Sequence, residues 1–148
     1  MFPLLFAAIG LTAPWSNHML EAHNAVRAKV GVSPLEWSSP LAARAQQWAD
    51  TLAHSNLFLH SRTPGLGESM TVVYNGEYVP EQVVAGWVSE SRYYDLRHNR
   101  CADVCGHYTQ VVWRSTKQVG CAVSRVDNRQ VWVCEYWPAG NYQGERPY

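Results

Sequence analysis

The chain has 148 residues, the size of one domain, and 47% of them are hydrophobic, enough for a single buried core. Twelve Lys and Arg balance twelve Asp and Glu, for a net charge of zero. That balance offers neither the clustered basic excess of a nucleic-acid-binding domain nor a bulk attraction to acidic membranes.

From Phe2 to Ala13 the chain is almost wholly apolar, about as long as a signal-peptide core and too short to span a bilayer. Ala13 suits a cleavage site, although no Lys or Arg precedes the run. The alternative is a first core segment. Residues 1–13 are therefore read as a leader or apolar N-terminal segment, and 14–148 as one domain. Ser16 reads as the cap of a helix over 17–30, with Met19, His23, Val26 and Val30 at helical spacing. Ser39-Pro40 reads as the start of a second helix, a capping hydroxyl followed by proline, with Leu41, Ala45, Trp48 and Leu52 on one face. Residues 54–78 look irregular, apart from a short strand from Met70 to Tyr74. Pro80 opens a third helix with Val83, Val84, Trp87 and Val88 inward. A polar loop over 92–104 leads to a short helix from His107 to Trp113.

The chain ends as a hairpin, 119–126 against 129–136, turning at Asp127-Asn128. In that register Cys121 faces Cys134 at a non-hydrogen-bonded site, where opposed Cα atoms lie about 4.5 Å apart, within reach of a disulfide. Of the three connectivities that four cysteines allow, this favours Cys121–Cys134 and leaves Cys101 to pair with Cys105. Disulfides point to an exported protein. Helices interleaved with strands, closed by an antiparallel hairpin, predict a layered α+β sandwich.

Four ionisable groups sit in surroundings that are not obviously solvent. His60 follows Leu59, and Glu68 follows a Gly65-Leu66-Gly67 segment whose glycines let the backbone approach closely. Glu90 lies three residues after Trp87 on an apolar stripe, where a carboxylate needs a partner such as an imidazole. His107 stands between Cys105-Gly106 and the apolar run to Trp113. His23 also lies on an apolar stripe and reads as a hydrogen-bonded core histidine.

Three separated segments then resemble the motifs of one family. They are His23-Asn-Ala-Val-Arg27, Gly106-His-Tyr-Thr-Gln-Val-Val-Trp113 and Val133-Cys-Glu-Tyr-Trp-Pro-Ala-Gly-Asn-Tyr142. The chain resembles the CAP superfamily of cysteine-rich secretory, antigen five and pathogenesis-related class one proteins, with the plant-type branch nearest. The resemblance implies a three-layer α-β-α sandwich with a central antiparallel sheet. It also implies a cleft formed by His60, Glu68, Glu90 and His107, with Ser69 and Gln110 as neighbours. Two departures stand out. Ser69 replaces the family's usual Asn, and four cysteines replace the six common in plant-type members, with Asn56 and Val126 near the missing pair.

Two imidazoles with carboxylates suit a weakly held divalent cation, zinc being the natural choice. Family members that bind sterols or other lipids imply an apolar groove, and Met70, Val72, Val73, Tyr74 and Tyr78 are candidate lining; the same residues also read as an ordinary strand and turn. The leading expectation is therefore a secreted binder of sterol or fatty acid with a defence or host-interaction role. A membrane or cell-surface partner would suit that role, and nucleic acid would not. Two alternatives stand beside it. One is a hydrolase using the metal or a Ser61 or Ser69 nucleophile with His and Glu. The other is a precursor that releases Pro138–Tyr148 as a signalling peptide.

Overall fold

The computed structural model describes residues 14–148. The leader reading of residues 1–13 lies outside them. Helix α1 spans Pro14–Val30, so Ser16 lies within the helix and not ahead of it as a cap would. Every fourth residue of its buried stripe, Met19, His23 and Arg27, is fully enclosed. His23 is the core histidine expected. One ring nitrogen bonds the Met19 carbonyl and the other the Tyr136 hydroxyl, at 2.7 and 2.8 Å. Burial lowers its pKa to about 4, so it is neutral. Among the described residues Arg27 has no counter-ion and is satisfied by main chain, donating to the carbonyls of Ser33, Val111, Trp113 and Thr116.

Strand β1 (Glu36–Trp37) leads into α2 (Ser39–Ser55). The N-cap is Ser38, one residue earlier than expected: its hydroxyl accepts from the Leu41 N–H at 3.2 Å, which places Pro40 in the first turn. Strand β2 spans Gly67–Tyr74 and α3 spans Pro80–Val88. A 3₁₀ turn, Ser89–Tyr93, carries Glu90 just past the end of α3. The two-residue strands β3 (Tyr94–Asp95) and β4 (Arg100–Cys101) pair with each other, and α4 spans Gly106–Val111. Strands β5 (Gln118–Val126) and β6 (Arg129–Trp137) form the hairpin.

The main sheet has the order β1-β5-β6-β2. Its three long strands are antiparallel, and only β1 joins in parallel. Alternation along β6 sorts the core into two layers. Trp132, Cys134 and Tyr136 pack with α1, α3 and α4, whereas Val131 and Val133 pack under α2. Gly120 is needed where the N-terminus of α2 crosses β5, since a Cβ there would strike Ser38 and Ala42 backbone. The disulfides are Cys101–Cys105 and Cys121–Cys134, and the second pair's Cα atoms are 4.0 Å apart.

β2 begins three residues before the expected strand, and this sets the position of Glu68. Gly67, Glu68 and Ser69 are weak strand formers, but β6 supplies their partners: Tyr136, Glu135 and Cys134.

The candidate lipid lining divides across this strand. Met70 and Val72 belong to the α2-side core, and Val73 is buried on the opposite face. A two-residue period cannot aim all three into one groove. Only Tyr74 and Tyr78 are exposed, so the segment is an ordinary strand and not an apolar wall.

Candidate functional site

The four candidate residues form two histidine–glutamate pairs. In the first, Glu90 is delivered by the 3₁₀ turn to the start of α4. Its Oε2 bonds His107 Nδ1 at 2.6 Å, and its Oε1 accepts the backbone N–H groups of His107 and Tyr108 at 3.0 and 3.2 Å. A remote carboxylate thus satisfies two of the helix's free N–H groups. Trp87 stacks on the His107 ring with centroids 6.1 Å apart and planes 8° from parallel.

In the second pair, the loop after α2 brings His60 back to the start of β2. Glu68 Oε1 bonds His60 Nδ1 at 2.7 Å and accepts the Ser61 N–H at 3.0 Å, while the Ser61 hydroxyl donates to Oε2. The loop is fastened by Trp48, whose indole N–H donates to the Leu59 carbonyl at 3.1 Å. A cavity of about 220 Å³ opens here, lined by His60, Ser61, Glu68 and Gln110 among others. Gln110 donates to the Thr116 hydroxyl and accepts the Gly140 N–H. Its carboxamide lies so close to Gly67 and Gly140 that a Cβ at either would collide with it. Ser69 does not line this cavity; it is fully buried on the other face of β2.

The residue that sequence reasoning missed is Glu135. It lies opposite Glu68 in the β2–β6 register and is 2% exposed. Burial, and then the Glu68 carboxylate, push its pKa up to about 9. Burial also works to raise Glu68, but hydrogen bonds from Glu135, Ser61 and His60 outweigh it and hold Glu68 below the usual carboxylate range. The two carboxyls therefore share one proton at neutral pH, with Glu135 as the acid. The signal was present in the sequence as a lone Glu between Cys134 and Tyr136 in an apolar strand.

Both imidazoles have Nδ1 occupied by a carboxylate, which leaves Nε2 as the nitrogen available to a cation. Among the described residues no group of three or more His, Cys, Asp or Glu is placed to hold a metal ion. The arrangement does not fit the three-ligand pattern of catalytic zinc. The serine triads are not assembled either. The Ser61 hydroxyl is bonded to Glu68 and Thr63, not to an imidazole, and Ser69 is buried.

The C-terminal segment Pro138–Tyr148 is docked on the domain. Arg146 donates to the Leu96 and Arg97 carbonyls, Arg114 donates its N–H to the Pro147 carbonyl, and the Tyr148 and Tyr108 hydroxyls lie 2.8 Å apart.

A model of the cysteine-rich secretory protein family, CAP, matches residues 20–136. The chain is 43% identical over 151 residues to pathogenesis-related protein 1A of Nicotiana tabacum, covering 98% of this chain and 89% of that protein. It is 42% identical over 132 residues to a pathogenesis-related protein of PR-1 type from Sambucus nigra, covering 87% and 79%. Venom allergen-like protein 4 of Schistosoma mansoni shares the fold with a TM-score of 0.75 at 25% identity, over 92% of this chain and 94% of that one.

Proposed function

The chain belongs to the cysteine-rich secretory protein (CAP) family, and on that premise we propose that it is a secreted, non-enzymatic lipid-binding protein acting in defence. Its resemblance to pathogenesis-related proteins supports the defence role. Two disulfides suit an oxidising compartment outside the cytosol. Locked imidazoles without an assembled nucleophile favour binding over turnover.

The observation that carries the ligand class is the run Leu57-Phe58-Leu59 beside His60. These three successive apolar side chains are 53, 53 and 47% exposed. This loop takes the place of β2 as the apolar contact for a sterol or fatty acid, with the His60–Glu68 pair as its polar neighbour. A divalent cation enters this reading only as a weakly held ion with imidazole Nε2 as its ligand.

Sterol and fatty-acid binding to the oxidised protein tests it, with and without zinc. Phe58→Asp should weaken binding about tenfold and leave the fold intact. Tyr74→Asp, on the far end of β2, should leave affinity unchanged. Absence of saturable binding by the unaltered protein, or equal effects of the two substitutions, would remove the lipid reading. If zinc raises neither the affinity nor the Tm, the cation has no part in it.

A further inference from the structure

The main sheet is left uncovered at one end. Helix α2 crosses β5 at Gly120, so the residues before that crossing stand beyond the helix. Register places Glu36 beside Gln118 and Gln118 beside Trp137, one residue from each of β1, β5 and β6. Paired residues share a face, and Trp137 follows Val131 and Val133 on the α2 side by the period of two. A carboxylate, a carboxamide and an indole therefore stand in a row across three strands. They line a cavity of about 330 Å³, with Ser33, Arg114 and Lys117 among the residues that complete it. That volume lies at the lower end of the range for small-ligand sites.

We propose that this cavity binds a free aromatic α-amino acid. The charges carry the argument. Glu36, Arg114 and Lys117 border one space, yet among the described residues the Glu36 carboxylate pairs with neither cation, and neither cation pairs with any other carboxylate. The side chains of Gln118 and Trp137 are likewise unengaged there. Opposite charges that border one cavity and leave each other unpaired fit a ligand that carries both. A ligand carboxylate can take the Arg114 fork and the Lys117 ammonium, and a ligand ammonium can take Glu36. Gln118, between Glu36 and Trp137, can both donate and accept. Trp137 is 47% exposed, and its ring offers a face to a planar side chain. A simple anion would have Glu36 against it, and a simple cation would have Arg114 and Lys117. Only the zwitterion satisfies all three groups. The site lies off the N-terminal end of α2, while the lipid contact proposed above follows its C-terminal end, so the two are independent.

The test is an NMR titration of the oxidised, isotope-labelled chain with phenylalanine and with two relatives that each lack one charge, N-acetylphenylalanine and phenylalanine amide. Saturable shifts at millimolar phenylalanine are expected, centred on the amides of Glu36, Lys117 and Gln118 and on the Trp137 indole, and each relative should bind about fivefold more weakly. Glu36→Gln should weaken phenylalanine about fivefold and leave N-acetylphenylalanine unweakened, since the ammonium that Glu36 serves is already gone. Arg114→Gln should weaken phenylalanine and leave the amide unweakened. Absence of saturable shifts with phenylalanine would overturn the proposal. Either relative binding as tightly as phenylalanine would overturn it too, because one of the two charges would then have no partner. Equal losses of phenylalanine and N-acetylphenylalanine on Glu36→Gln would overturn it equally, since the carboxylate would not be meeting the ammonium.

Discussion

The two histidine–glutamate pairs share residue types and the same Nδ1-to-carboxylate bond, but their surroundings differ. Glu90 is tied to main chain: it holds two N–H groups of α4, and its imidazole lies flat on Trp87 with 31% of its side chain exposed. Glu68 is 6% exposed and backed by a second carboxyl, while its imidazole is 56% exposed. The first pair is a clamp that joins the end of α3 to the start of α4. The second is a polar edge of a cavity, where a proton is shared under the surface. Identical chemistry thus acts on the fold in one place and on the local protonation state in the other.

Removing the clamp should have the largest effect. Glu90→Ala deletes a carboxylate that accepts three hydrogen bonds, two of them from backbone. Bonds to a charged group contribute about 1.5–3 kcal/mol net, and water can reach part of the freed helix end, so a loss of about 3 kcal/mol is expected. Urea denaturation of the oxidised protein measures it. A loss below about 1 kcal/mol would mean that α4 stands without its remote cap and that the comparison fails.

Glu135 gives the next largest effect, and its sign is fixed by the direction of the shift. A folded pKa of about 9, above the ordinary 4.5, means that the folded state binds the proton more tightly than the unfolded chain. Its stabilisation is complete below pH 4.5 and is lost as the pH climbs through 9. Glu68 has the opposite slope, confined to pH values below its ordinary 4.5. Between those limits the stability should fall with rising pH. Glu135→Gln cannot lose a proton and should flatten the decline, leaving the variant more stable near pH 9 by on the order of 2 kcal/mol. Thermal unfolding across that range decides it. Parallel curves for the two proteins would show that folding does not raise the pKa of Glu135.

The limits of the sequence reading have physical causes. The hairpin was legible, together with its Cys121–Cys134 pair, because a two-residue turn and a period of two fix register locally. Glu90 was legible because a carboxylate seven residues after Val83 and three after Trp87 needs a partner. The Ser38 cap was missed by one position because two adjacent serines offer the same hydroxyl. Glu135 was missed for a deeper reason. Its meeting with Glu68 depends on the register of β2 on β6, set between segments 67 residues apart, with no short turn to read it from. The same non-local register extends β2 to Gly67 and sends Met70 and Val72 under α2.

The smallest effect is the most discriminating. His60→Ala removes an imidazole that is more than half exposed, from a glutamate that keeps the Ser61 N–H, the Ser61 hydroxyl and Glu135. An exposed ion pair contributes about 0–1 kcal/mol, so little stability should be lost. His107→Ala removes a ring that is stacked on Trp87 and two-thirds covered, and should cost about 1–2 kcal/mol, from lost packing as well as a lost bond. The informative quantity is the difference between the two substitutions under one set of conditions. If His60→Ala costs as much as His107→Ala, the loop bearing Leu57-Phe58-Leu59 depends on His60 for its position. Substitutions in that loop would then report on folding and binding together. If it costs nothing measurable, Trp48, Ser61 and the backbone bond from Ala139 to Gly65 hold the loop without it, and His60 is free to be varied as a contact for ligand.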